Sequence, residues 1–144
     1  MERSPEALAV ARENATALDL AGRITFLEGD LFAPLAGELR GALDLLVSNP
    51  PYLDPALKES LPLEVSRHEP AAALFAEERG LATLRRIVDG AGAWLKTGAR
   101  LGLELSPEQA GAVSEMLGET GFFAAVEVLR DAQQKERFVV AVRK

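Results

Sequence analysis

Cysteine is absent from the 144 residues. That excludes a disulfide scaffold, a Cys-ligated zinc site and a thiol nucleophile. Histidine occurs once, as His68, so a multi-His metal site within one chain is excluded and no metal is expected. No apolar run is long enough to span a bilayer. The first residues, Met1-Glu2-Arg3-Ser4-Pro5-Glu6, lack the apolar core of a signal peptide. A cytoplasmic protein with no membrane contact is the expectation. Basic clusters are lacking too. The net charge is −6 and the isoelectric point is near 4.9, whereas proteins that grip nucleic acid through its phosphates carry basic faces. The charge argues against a nucleic-acid substrate.

What remains is an ordinary globular composition, 48% hydrophobic and 26% charged, long enough for one domain with a core. Ser4 is an N-cap with Pro5 at the first helical position, and Leu8, Ala11, Ala15 and Leu18 recur at helical spacing. These predict a helix over 5–18. Ile24-Thr25-Phe26-Leu27 predicts a short strand over 24–28. The apolar run from Leu43 to Val47, broken only by Asp44, predicts a strand buried on both faces of a parallel sheet. Residues 53–78 contain Pro55, Pro62 and Pro70 and predict a long loop with short helical pieces. Loops of that length in compact domains tend to be functional.

The stripe Leu81, Leu84, Ile87, Val88, Ala91 and Leu95 predicts an amphipathic helix over 80–95, ended by Thr97-Gly98. A strand follows over 100–105. Ser106-Pro107-Glu108 opens a helix that runs to about Glu119 and stops at Gly121. Strands over 123–129 and 137–142 flank a turn at 131–135 and predict an antiparallel hairpin. Strands alternating with helices give the α/β class. With no repeat or linker, residues 1–144 read as one domain.

Val47-Ser48-Asn49-Pro50-Pro51-Tyr52 follows a predicted buried strand directly. Ligand sites of open α/β sheets lie at the carboxyl ends of strands. Pro50 pushes Asn49 toward extended backbone, and each proline fixes its own φ and donates no hydrogen bond. The result is a stiff platform with outward carbonyls, an amide side chain and an aromatic face. Such a platform suits a planar amide or amino nitrogen, whose lone pair is delocalised. Acceptors on its two N–H groups can hold that nitrogen in line with a methyl donor. Asn49 Oδ1 and the Pro50 carbonyl can supply both, and Tyr52 can pack on the planar group. By composition the four-residue pattern arises by chance in about one chain in a thousand of this length. The plain alternative is a rigid Pro-Pro turn after a strand.

With these residues the chain resembles the HemK/PrmC family of release-factor glutamine methyltransferases. The likeness extends from Glu2 through Asn14-Ala15, Gly29-Asp30-Leu31-Phe32, Asn49–Tyr52, Arg67-His68-Glu69-Pro70, Gly80-Leu81, Leu103-Glu104 and Gly121-Phe122 to Asp131 and Glu136-Arg137. DNA adenine and RNA guanine methyltransferases share the Asn-Pro-Pro-Tyr element alone, so an amino-methyltransferase of nucleic acid stays open as an alternative.

The resemblance implies an incomplete Rossmann-like class I methyltransferase sheet, mostly parallel with an antiparallel C-terminal hairpin. It implies S-adenosylmethionine as methyl donor and the glutamine of a Gly-Gly-Gln loop in peptide-chain release factors as substrate. Asn49, Pro50, Pro51 and Tyr52 then bind substrate. Glu2 holds the ribose hydroxyls, and Asp30, Leu31 and Asn49 also contact the cofactor. Asp30 has a plain reading as a turn residue, Glu2 as a mobile terminal residue, and Glu69 as a solvated carboxylate. His68, Asp131 and Arg137 read as structural.

The family's Gly-rich cofactor loop, which lies upstream of the position of Glu2, has no counterpart here. The expectations are a truncated and impaired enzyme, weak cofactor binding, and an exposed edge on strand 43–47 through which copies can associate. A catalytically silent oligomerising module is the further alternative.

Overall fold

The computed structural model describes residues 1–56 and 70–144. They form two compact units, Met1–Leu39 and Arg40–Lys144. In the first, helix α1 spans Pro5–Ala17. Its start follows from its cap: the Ala7 N–H donates to Ser4 Oγ at 3.1 Å, and Ser4 Oγ–H donates to Glu6 at 2.8 Å. One of the orphan donors of the first turn is thereby satisfied. Leu8 and Ala15, two turns apart on one face, are buried. The helix closes at Leu18, whose N–H donates to Asn14.

The strand expected over 24–28 does not form. Its backbone pairing reduces to one parallel bridge, Glu2↔Glu28. There the Glu2 N–H donates to the Leu27 carbonyl at 3.0 Å and the Gly29 N–H to the Glu2 carbonyl at 2.9 Å. A β-prone composition makes a strand only where a neighbour supplies a ladder, and Ile24 is left exposed. Phe26 is partly covered instead by the Arg12 guanidinium, 5.8 Å from its ring centre.

In the second unit four strands form one sheet: β1 (Leu43–Ser48), β2 (Leu95–Glu104), β3 (Phe123–Arg130) and β4 (Glu136–Arg143). Their order is β1-β2-β4-β3. β1 pairs parallel with β2, and β4 runs antiparallel to both of its neighbours. Three strands therefore point one way, and the predicted antiparallel hairpin closes the sheet. Helix α2 (Ala71–Leu74) is a single turn. Helices α3 (Ala82–Ala91) and α4 (Ala110–Glu119) pack with the sheet to make the core. Leu84, Ile87 and Val88 of α3 and Val113 and Leu117 of α4 are buried, as are Leu101, Leu103, Val139 and Ala141 on the strands. The register Leu101↔Ala141 and Leu103↔Val139 puts those four side chains on one sheet face.

Two expectations are corrected here. β1 is not buried on both faces: Leu46 is covered, while Leu45 and Val47 are 58% and 70% exposed. The strand lies at the sheet edge, and its apolar run reflects composition rather than two-sided burial. The helix expected over 80–95 stops at Ala91. Gly90 and Gly92 weaken it. The backbone carbonyls of Ala93 and Trp94 accept from Gly41 and Leu43 instead, so Leu95 begins β2. Thr97-Gly98 is no helix stop. It sits inside β2, where β1 advances from Leu43 to Leu45 while β2 advances from Leu95 to Arg100. That irregularity is accommodated by Gly98 at φ +82°.

Candidate functional site

Asn49 to Tyr52 leave the carboxyl end of β1. Pro50 is buried, Pro51 and Tyr52 are half-buried, and Asn49 is exposed. Among the described residues the Asn49 side-chain amide has no hydrogen-bond partner. The segment after it is anchored repeatedly. The Tyr52 carbonyl accepts from Gln109 Nε2 at 2.8 Å. Its hydroxyl donates to Glu104 Oε1 at a long 3.3 Å. Leu53 donates to the Leu74 carbonyl at 2.9 Å and accepts from Ala76 at 3.0 Å, a bridge between the platform and α2. Locked proline φ angles and these anchors leave little freedom at Asn49.

Beside the platform, at the carboxyl ends of β1 and β2, lies an open cleft of about 430 Å³. Val47, Gly102, Leu103 and Val140 line it with apolar surface, and Ser48, Asn49, Glu104, Phe138 and Leu129 complete it. A Cβ at Gly102 would stand 3.6 Å from Val47 Cγ1 and 3.8 Å from Val140 Cγ1, so glycine keeps this part of the cleft open. Burial, followed by the charge of Glu104, raises the Tyr52 hydroxyl pKa above its ordinary value, while Arg137 acts in the opposite direction. Tyr52 therefore stays protonated at neutral pH and can donate.

Asp131 and Arg137, both read as structural, form an ion pair. Arg137 Nε lies 3.6 Å from Asp131 Oδ2, and Asp131 Oδ1 accepts from the Gln133 and Lys135 N–H groups at 2.8 and 3.1 Å. The Lys135 N–H is the foremost cause of a depressed Asp131 pKa. His68 and Glu69 lie outside the described residues.

The expected cofactor residues Glu2, Asp30 and Leu31 belong to the first unit. The Glu2↔Glu28 bridge draws Glu2 near the turn that holds the other two, and the Arg3 guanidinium, next along the chain from Glu2, reaches Asp30 at 4.0 Å. Glu2 Oε1 already accepts from the Arg3 and Ser4 N–H groups at 2.7 and 2.8 Å. Leu31 adopts φ +47°, and the Asp30 carbonyl accepts from Ala33.

Sequence reasoning gave no role to Gln109 and saw Gly80 and Glu104 only as part of a family pattern. Gln109 stands three residues after Ser106, the spacing of a capping box, and nothing local shows that its amide reaches Tyr52. Glu104 is the last residue of β2, at the same carboxyl edge as the platform, and that position was the available signal.

No protein-family model matches the chain. Solved structures resemble it in fold. A predicted O-methyltransferase from Agrobacterium tumefaciens superposes with a TM-score of 0.62 at 19% identity, over 98% of this chain and 59% of the other. TrmN from Thermus thermophilus superposes with a TM-score of 0.59 at 22% identity, over 99% and 35%. Closer relatives appear in sequence. The release factor glutamine methyltransferase of Moorella thermoacetica is 41% identical over 141 residues, 98% of this chain and 48% of its own length. That of Deinococcus radiodurans is 44% identical over 140 residues, 97% and 47%. The fold is thus the Rossmann-like α/β fold of methyltransferases, and by sequence the chain is a relative of the release factor glutamine methyltransferases along nearly its whole length, spanning about half of theirs.

Proposed function

We propose that this chain serves an S-adenosylmethionine-dependent transfer of a methyl group to a glutamine side-chain amide in the Gly-Gly-Gln loop of a peptide-chain release factor. The observation that carries the reading is the exposed Asn49 on a platform fixed at Tyr52 and Leu53, beside an open cleft at the carboxyl end of β1. Asn49 Oδ1 and the Pro50 carbonyl accept the two amide N–H groups. That pairing fixes the plane of the amide and raises lone-pair density on its nitrogen. The Tyr52 ring packs on the amide plane, its hydroxyl tethered by Glu104. Positioning of this kind contributes several kcal/mol to a transfer, and fixed dipoles add electrostatic stabilisation. The donor supplies an electrophilic sulfonium methyl. No base is needed before transfer, because the alkylated nitrogen is acidic and loses a proton afterwards.

In the first unit, Glu2 and the Asp30-Leu31 turn have the chemistry for an adenosine. Glu2 Oε1 is held by two backbone N–H groups, which leaves Oε2 to accept from a ribose hydroxyl. Asp30 and Leu31 contact adenine. Asn49, in the second unit, is proposed as a cofactor contact in its own right. We assign residues 1–144 to one partial methyltransferase domain and place its work in the cytoplasm. Among the described residues no helix is long and apolar enough to cross a membrane.

A second reading, an oligomerising module, is favoured by one feature: β1 is an edge strand whose Leu45 and Val47 are largely exposed. Methyl incorporation into a release factor, with Asn49→Ala as control, separates the two. Catalysis that depends on Asn49 supports the first, and oligomers without transfer support the second.

A further inference from the structure

We propose that Gln109 is the positioning residue of the Asn49–Tyr52 platform, its side-chain amide clamping the Tyr52 carbonyl so that Asn49 and Pro50 face the substrate in one fixed direction. The inference rests on the function proposed above for its catalytic consequence and on geometry alone for the clamp.

Gln109 is 5% exposed and is the one buried polar side chain among the described residues. A side-chain amide offers two N–H donors and one acceptor oxygen, and here both ends are committed to backbone. Oε1 accepts from the Ser106 N–H at 3.1 Å. Nε2 donates to the Tyr52 carbonyl at 2.8 Å and to the Arg79 carbonyl at 3.2 Å. Capping the turn before α4 uses Oε1 alone. The Nε2 end reaches back 57 residues to the platform, which no cap requires.

The surroundings are shaped for that contact. Gly80 stands at φ +83°, and a Cβ there would overlap the Tyr52 carbonyl oxygen and crowd Gln109 Nε2. Glycine at this position lets the residues before α3 come close to the platform and the amide together. Three segments thus meet at one side chain: the platform after β1, the turn before α3 and the turn before α4. With φ locked at Pro50 and Pro51, few torsions separate the clamped carbonyl from Asn49. Movement at Tyr52 is passed on to the acceptors that hold the substrate.

Two variants separate clamp from cap. Gln109→Glu keeps an acceptor for the Ser106 N–H and, when ionised, removes both donors. Gln109→Met keeps the volume and removes all three bonds. Tyr52 is the single tyrosine of the chain, so a 13C-tyrosine label gives one ring spin system, read without any need for activity. At pH 8.5 we expect the Tyr52 ring resonances to be displaced in both variants. We also expect kcat for methyl transfer to fall at least tenfold. Wild-type Tyr52 resonances in folded Gln109→Met overturn the proposal, and should that variant not fold, the same result in Gln109→Glu overturns it. If the wild-type chain transfers no methyl group, the proposed function fails while the ring resonances still decide the clamp.

Discussion

Asn49 stands exposed at the start of a segment anchored at Tyr52 and Leu53, and that contrast sets what substitution does there. Asn49→Ala removes the acceptor proposed to hold substrate and disturbs nothing buried. Its thermal stability is expected within ~0.5 kcal/mol of wild type, as for exposed positions, while transfer collapses. Calorimetry beside an activity assay checks the pair. Tyr52→Phe removes a long hydrogen bond to Glu104. A net loss of at most ~1 kcal/mol is expected, measurable by urea denaturation, with the ring still in place for packing.

Acid stability follows from the carboxylates whose pKa is pulled down, Asp131 first by the Lys135 N–H, Glu108 first by its own backbone N–H and Glu6 first by the Ser4 hydroxyl. A depressed folded-state pKa gives stability that is present above the ordinary carboxylate range and lost as pH falls through the depressed value. Melting temperature should therefore drop on acidification below pH ~4, and Asp131→Asn should flatten part of that drop. A melting temperature that is level from pH 7 to pH 3 in the wild type would refute it. Tyr52 acts at the other end. Its raised pKa favours the fold while the hydroxyl is neutral, and that advantage fades as pH rises above 10, the ordinary value from which its pKa is raised.

Among the elements, those with internal signals were legible. Ser4-Pro5-Glu6 fixed the start of α1, and Gly121 at φ +70° closes the turn after α4. The hairpin of β3 and β4 was readable because its strands are near neighbours in sequence. Where the outcome depended on a distant partner, reading failed. The run 24–28 has β-prone residues but a single bridge. The α3 stripe continued through Leu95 in the sequence, because periodicity does not show that the Trp94 carbonyl is taken by Leu43. β1 was expected to be covered on both faces because an apolar run does not show which face is packed, whereas its place at the sheet edge agrees with the expectation drawn from the resemblance. The platform was legible as a motif, whereas its clamp was hidden, since Gln109 lies 57 residues away. The core to which β2 and α4 both contribute makes a further prediction. Leu103→Ala or Leu117→Ala, each at a fully buried position, should cost about 2–5 kcal/mol in denaturant unfolding. A loss below ~1 kcal/mol would show that the core is not packed as described.

Taken as a chain, these 144 residues span about half the length of the curated relatives they match, with the residues proposed to meet adenosine in Met1–Leu39 and those proposed to hold the amide in Arg40–Lys144. Two expectations concern the isolated chain. The apolar outward residues of edge strand β1 should promote self-association, seen as oligomers in size-exclusion chromatography with light scattering. A monodisperse monomer at high concentration would contradict it. Cofactor affinity should be weaker than micromolar by calorimetry, and a micromolar Kd would overturn that expectation. The central claim is that Asn49 holds a release-factor glutamine for methylation. Transfer of labelled methyl from S-adenosylmethionine at millimolar concentration to a release factor, compared between wild type and Asn49→Ala, tests it directly. The prediction is label on the Gly-Gly-Gln glutamine with the wild type and a loss of at least tenfold with the variant. Equal labelling by both, or none by the wild type, would contradict it.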